Sequence, residues 1–282
     1  MIEPFILLQH LLPKRALTEG VGRLARARAG AATTAAIRAF IRRYRVDMSE
    51  AADPRPEAYT SFNDFFTRAL REGVRPMALA DWICPVDGAV SQLGPIEAGQ
   101  IFQAKGQTYD CRRLLGEEQA AAVFEDGDFA TIYLSPRDYH RIHMPCAGEL
   151  RRMIHVPGLL YSVNPATARA IPGLFARNER VVCHFETAHG PLALVLVGAT
   201  IVGSMATVWH GQVNPPRPRE PRHWHYAPGE VRLAQGQEMG RFLLGSTVIL
   251  LWPRGVARLN PDWEAQRPVR LGQAMAQGMK RP

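Results

Sequence analysis

The sequence predicts an α+β protein: a β-rich antiparallel core with embedded helices, preceded by N-terminal amphipathic helices. Three observations predict it. Up to about residue 46, apolar side chains recur at helical spacing. Beyond Arg75-Pro76, short β-branched runs alternate with Gly, Pro and Asp turns, the texture of antiparallel strands rather than of a doubly wound sheet. The 282 residues are 46% hydrophobic and 21% charged, which suits one large domain, or a core with an accessory segment, and excludes a disordered chain.

The first segment opens on an apolar cluster of Phe5, Ile6, Leu7, Leu8, Leu11 and Leu12. After Pro13, Leu17, Val21 and Leu24 recur among Arg23, Arg26 and Arg28. Ile37, Phe40, Ile41 and Tyr44 then repeat at i, i+3, i+4 and i+7 beside Arg38, Arg42 and Arg43. A stripe flanked by cations either packs on its own domain or lies on anionic lipid, and the residues leave both open. Asp53-Pro54-Arg55-Pro56 reads as a linker, dividing an N-terminal helical segment, 1–52, from a β-rich core, 53–282. A short helix follows, with Ser61 as its cap and Asp64 at its third position.

Runs such as 130–134, 181–185, 194–197 and 247–251 read as strands. Asn164 to Phe175 reads as one embedded helix, and the Pro-, Gly- and Arg-rich tail after Pro253 as irregular. From Pro191 to Val208 there is no charge, but Gly198, Gly203 and the Val, Ile and Thr content favour two strands over a membrane span.

The net charge is +8, mostly from Arg, concentrated between Lys14 and Arg45 and between Pro215 and Arg222. Such a balance suits an anionic surface or acidic substrate. Neither stretch is interleaved with aromatics, so nucleic acid is not expected. Cys84, Cys111, Cys146 and Cys183 stand too far apart for a zinc motif or a disulfide framework, which fits reduced thiols and no metal. The N-terminus has no basic stretch ahead of its apolar run and does not read as a secretory signal.

Three clusters could carry chemistry. Pro85-Val86-Asp87-Gly88 has the form of a hairpin turn. Tyr133 to Pro145 packs His140, His143, Arg137, Arg141, Asp138 and two Tyr into a strand and turn. Gly240 to Val248 holds Gly245-Ser246-Thr247 at the entry to a strand, outside any Gly-x-Ser-x-Gly elbow. Together they offer an Asp, a His and a Ser, the parts of an activated nucleophile, but spacing alone does not bring them together.

The stretch from Ser61 to Pro253 resembles the bacterial phosphatidylserine decarboxylases. The resemblance rests on Ser61-Phe62-Asn63-Asp64-Phe65-Phe66-Thr67-Arg68, Pro85-Val86-Asp87-Gly88, Tyr139-His140-Arg141-Ile142-His143-Met144-Pro145 and Leu244-Gly245-Ser246-Thr247. Phe175 to Arg180, Val197 to Ser204 and Gly236 to Gly240 also match, with Gln235 where the family often has Lys.

The resemblance implies a proenzyme that cleaves itself between Gly245 and Ser246. Asp87 would orient His143, and His143 would act as base on the Ser246 hydroxyl. Ser246 would become a covalent pyruvoyl group, which takes phosphatidylserine as a Schiff base and lets CO2 leave. His140 would return a proton, giving phosphatidylethanolamine. It further implies a heterodimer of large and small chains, possibly dimerised further, held peripherally on the cytoplasmic side of the cell membrane. Two rivals stand beside it: a Ser-His-Asp lipid hydrolase with Ser246 intact, and a lipid-binding protein using only its basic N-terminus.

Overall fold

The computed structural model describes residues 6, 7, 9, 12–200, 204–243 and 246–279. Its frame is a nine-stranded sheet. In spatial order run Arg222–His225, Gly148–Val156, Arg180–Thr187, Gly190–Val197, Ser246–Trp252, Asp128–Leu134, Gly88–Pro95 and Pro268–Val269, with Arg232–Leu233 also paired to Gly148–Val156. Every pairing along this order is antiparallel.

Ser246–Trp252 lies near the middle, and all seven of its residues are buried. Alternation sends Val248, Leu250 and Trp252 to one core and Ile249 and Leu251 to another. A strand covered on both faces loses the apolar–polar alternation, which is why it reads as a continuous apolar run. The first core lies against a four-stranded sheet of Gly211–Gln212, Met205–Thr207, Glu238–Phe242 and Arg141–His143, which contributes Ile142, Met205, Met239 and Phe242. The second is covered by helices, with Ile37, Phe65, Leu114 and Leu174 packed into it.

Two N-terminal helices, Lys14–Arg26 and Ala31–Tyr44, are present as expected. The Ile37 stripe packs on the protein itself. Ile37 is fully buried, and the Phe40 ring meets Phe62, Phe65 and Phe66 edge-on at 5.1, 5.9 and 6.0 Å. At the end of that stripe Tyr44 is 39% exposed, and the earlier helix exposes Leu24 at 74% and Leu17 at 37%. Of the cluster from Phe5 to Leu12, only Ile6, Leu7 and Leu12 fall within the described residues, with Ile6 buried and Leu7 exposed.

Ser61 caps helix Phe62–Phe66 by accepting from the Asp64 backbone N–H at 3.1 Å. The uncharged stretch forms strands Gly190–Val197 and Met205–Thr207, with 201–203 outside the described residues. No helix among the described residues is long and apolar enough to cross a membrane.

Three expectations are corrected. Asn164 to Phe175 is two helices, Pro165–Ala170 and Leu174–Arg177. Ile171 is extended because Pro172 follows it, and Gly173 turns the chain at φ +64°. The tail is not irregular: Ala257–Leu259 and Ala274–Gly278 join Trp82–Ile83 in a three-stranded sheet, and Pro268–Val269 extends the large one. Its strands are short and their apolar residues scattered, so composition hid them. Asp87-Gly88 is not a hairpin turn, since Asp87 is buried and Gly88 opens an eight-residue strand. A Cβ on Gly88 would lie 2.3 Å from the Tyr133 carbonyl oxygen, so glycine permits the close approach of the neighbouring strand.

Candidate active site

Ser246 and His140 are each tied to the turn after Leu134, one through the sheet and the other through a hydrogen bond. Ser246 lies directly opposite Leu134 in the sheet, so both side chains share a face. The next residue, Ser135, accepts a hydrogen bond from the His140 ring at 3.1 Å. Asp138 fixes that turn, its carboxylate accepting from the Ser135 N–H at 2.6 Å. Ser246 is buried and its hydroxyl has no partner among the described residues.

His140 is fully buried, with the Phe66 ring stacked on it at 4.1 Å. A carbonyl can only accept, so Nε2 carries the proton and Nδ1 the lone pair. That Nδ1 is buried and unpartnered. Burial, and then the nearby Arg68 guanidinium, push the His140 pKa down to about 3, so the ring is neutral at neutral pH.

His143 is set differently. It sits on strand Arg141–His143, where alternation turns Ile142 into the core and His143 to the other face. Its Nδ1–H donates to the Gly236 carbonyl at 2.8 Å. Its Nε2 therefore accepts the Tyr139 hydroxyl, 3.1 Å away. Burial lowers the His143 pKa and raises that of Tyr139 to about 12.

Asp87 is buried and gripped by Arg75, whose Nε and Nη2 donate at 2.9 and 2.5 Å. The Leu271 N–H donates to the same carboxylate at 2.9 Å. No hydrogen bond joins Asp87 to His143 among the described residues; the Gly236 carbonyl holds the His143 ring instead. The two segments still run side by side, since the His143 N–H donates to the Pro85 carbonyl at 2.9 Å. Gly245 lies outside the described residues.

A cavity of about 430 Å³ opens at Ser246. Tyr133, Leu134 and Phe66 line it near the serine, and Val21, Leu24 and Phe40 bring in both N-terminal helices. Ser162, Asn164 and Thr200 supply its polar lining. The arrangement offers a desolvated hydroxyl, a buried imidazole lone pair on the turn opposite it in the sheet, and an apolar wall of a kind that suits an acyl chain. A buried hydroxyl without a partner fits a residue destined for covalent conversion, since Ser246 stands where a carbonyl made from it would meet the cavity.

Sequence reasoning missed three supporting residues: Arg75 as the partner of Asp87, Tyr139 as the partner of His143, and Phe66 as the platform under His140. Tyr139 and Phe66 stand inside the motifs quoted above and Arg75 outside them, and nothing in their spacing reveals the pairings. It also missed that the N-terminal helices wall the cavity.

The family model described as phosphatidylserine decarboxylase matches residues 62–277, and one described as PSD matches residues 4–45. The phosphatidylserine decarboxylase proenzyme of Acidovorax ebreus (strain TPSY) is 70% identical over 272 residues, covering 96% of each chain. The protein of that name from Verminephrobacter eiseniae is 67% identical, with 96% of each chain covered. That from Chromobacterium violaceum is 65% identical, over 96% of this chain and 98% of its own.

Proposed function

The chain belongs to the phosphatidylserine decarboxylase family, and from that premise we propose that it converts phosphatidylserine to phosphatidylethanolamine and CO2. The group that does so would be a pyruvoyl made from Ser246. The observation that carries this reading is the buried Ser246 hydroxyl, unpartnered among the described residues, at a cavity walled by the N-terminal helices.

Maturation would begin when a base takes the Ser246 proton and the oxygen attacks the Gly245 carbonyl, exchanging the peptide bond for an ester. Loss of the Cα proton and cleavage of the Cβ–O bond release Gly245 as a carboxylate. The dehydroalanine left behind takes up one water and loses ammonia to become the pyruvoyl. Once formed, that group supplies an electron sink for the carbanion left by CO2.

The chain's own residues bind, exclude water and move protons. The family pattern assigns the base to His143, whose Nε2 is an acceptor once Tyr139 lets go. Asp87 then acts on it through the field and the shared backbone rather than by contact. His140 returns the proton to the substrate carbon. A ring with a pKa near 3 gives up a proton readily once it has taken one. Phe66 and Leu134 keep water from the reacting centre, while Val21, Leu24 and Phe40 receive an acyl chain. The enzyme would work peripherally on the cytoplasmic face of the membrane, as a large chain ending at Gly245 and a small chain starting at 246.

A second reading has one observation in its favour. Of the two histidines, the one with an imidazole nitrogen unpartnered among the described residues is His140, whose ring is tied to the turn after Leu134, while both nitrogens of His143 are engaged, so His140 would serve as base for maturation too. A hydrolase with intact Ser246 is disfavoured, because Ser246 has no histidine hydrogen bond and no elbow motif. The deciding measurement is the intact mass of the purified protein under denaturing conditions, with phosphatidylethanolamine formation read on the same sample. Two fragments in the wild type and one in Ser246→Ala, which makes no product, are expected. A single intact wild-type chain that turns over lipid would end the reading.

A further inference from the structure

Helix Lys14–Arg26 separates two cavities of opposite character. Leu17, Val21 and Leu24 follow one flank at spacings of four and three, and Val21 and Leu24 line the apolar cavity at Ser246. Arg15, Glu19, Gly22 and Arg26 follow the other flank at four, three and four. There they line a second cavity of about 360 Å³, closed by Arg23 and by Arg217 from the loop after Pro216.

We propose that this second cavity binds the phosphodiester of an anionic phospholipid other than the one being decarboxylated, an inference that rests on the membrane-associated reading above. Four guanidinium groups face a single carboxylate in its lining. Arg217 is anchored, its Nε donating to the buried Glu179 at 2.7 Å, with Glu19 at 3.9 Å from its Nη1. Arg15, Arg23 and Arg26 are exposed and make no ion pair among the described residues. Guanidinium forks match phosphate oxygens two at a time, which a hydrated point charge does not. Gly22 lines the cavity, and a Cβ there would meet an Arg26 nitrogen at 3.5 Å, an ordinary contact, so a longer side chain can be placed in the space.

The choice of a lipid over a nucleic acid or free phosphate rests on the other flank. Leu24, at 74% exposure, and Leu17 project from the same two turns. Cations and bare leucines sharing one helix suit the boundary between headgroups and acyl chains. A lipid phosphate in this cavity would hold the helix against the bilayer, with the mouth of the Ser246 cavity one helix diameter away.

The test is co-sedimentation of the full chain with phosphatidylcholine vesicles, with and without phosphatidylglycerol. Neither lipid carries a serine carboxylate, so a failure of the decarboxylase reading would leave this result untouched. The wild type should prefer the anionic vesicles. Arg15→Gln/Arg23→Gln/Arg26→Gln should lose roughly a hundredfold of that preference, about fivefold for each Arg. Gly22→Leu keeps every charge, improves helix propensity and fills the cavity; it should lose about tenfold while its thermal midpoint holds or rises. Arg15→Lys/Arg23→Lys/Arg26→Lys, which keeps the charge but not the fork, should fall alongside it and serves if Gly22→Leu does not fold. Wild-type binding by Gly22→Leu or by the Lys variant would mean that the arginines act only as diffuse charge, and the site would be refuted. So would release by inorganic phosphate beyond that by chloride of equal ionic strength, which would make free phosphate the ligand.

Discussion

His140 and His143 stand three residues apart and live in different compartments. His140 lies inside, stacked on Phe66, with Nδ1 unpartnered among the described residues. His143 lies on the outer face of its strand, both nitrogens occupied by Gly236 and Tyr139. In sequence the pair looks like one motif with a repeated residue. The turn ending at His140 and the strand Arg141–His143 split it into a strongly desolvated imidazole held through Nε2 alone and one held through both nitrogens.

The largest effects should come from removing each ring in turn. His143→Ala should leave the chain uncut, because the assigned base is gone. His140→Ala should still cut itself at least in part, yet lose about 10²–10⁴-fold in decarboxylation. Fragment patterns on a denaturing gel and phosphatidylethanolamine formation score both variants. An uncut His140→Ala alongside a normally cut His143→Ala would reverse the roles and establish the second reading.

Asp87→Asn asks how far the acid serves His143 at all. Its carboxylate neutralises buried Arg75, so the substitution should destabilise by about 3 kcal/mol, with Glu50 left as partial compensation. Urea unfolding of an uncut background, Ser246→Ala with and without Asp87→Asn, measures this. Unchanged stability together with abolished cleavage in the otherwise native chain would instead mean that the charge acts on the histidine.

Acid should weaken the inner site first. The folded pKa of His140, about 3, lies below its ordinary value of 6.5. Between those values the unfolded chain binds a proton that the folded chain refuses. The stability from keeping the ring neutral is therefore complete above pH 6.5 and is lost as pH falls toward 3. His140→Leu should show a shallower fall in melting temperature between pH 7 and pH 5 than the wild type; equal slopes would count against a buried neutral ring.

The smallest effect should come from Tyr139→Phe. Without the hydroxyl donating to Nε2, that nitrogen is easier to protonate and the His143 pKa rises. One hydrogen bond, about 1 kcal/mol, corresponds to somewhat under one pH unit. Self-cleavage should slow several-fold at pH 6 and hardly at pH 8. A loss equal at both values would point to a structural role for the tyrosine alone.

Much of this frame was legible in the residues. Helical spacing located both N-terminal helices, and β-branched runs located the central strands, because each buries a regular face. The short strands after Pro253 escaped, since two or three residues held by partners distant in sequence carry no period of their own. At the candidate site, the Tyr-His-Arg-x-His string and Gly-Ser-Thr supplied the candidate residues. What they could not reveal was partnership. Arg75 grips Asp87 across twelve residues, and Gly236 holds His143 across ninety-three. The Ile37 stripe had two outcomes with one pattern, and only the Phe62–Phe66 helix beside it decided between them.

The place of Ser246 has a further consequence. It opens the strand that runs between Gly190–Val197 and Asp128–Leu134. The chain that would follow a cut there also supplies Ala257–Leu259, Pro268–Val269 and Ala274–Gly278. Before the cut, the polypeptide finds its sheet within one molecule. After it, a denatured sample holds two separate pieces, neither with a complete sheet, and recovery becomes a collision between them. Refolding yield of the cut protein should then rise with concentration, while that of uncut Ser246→Ala should not. Maturation in this family would thus act as a ratchet: the fold is assembled once, as a single chain, and what is lost to unfolding afterwards is replaced by synthesis rather than by repair.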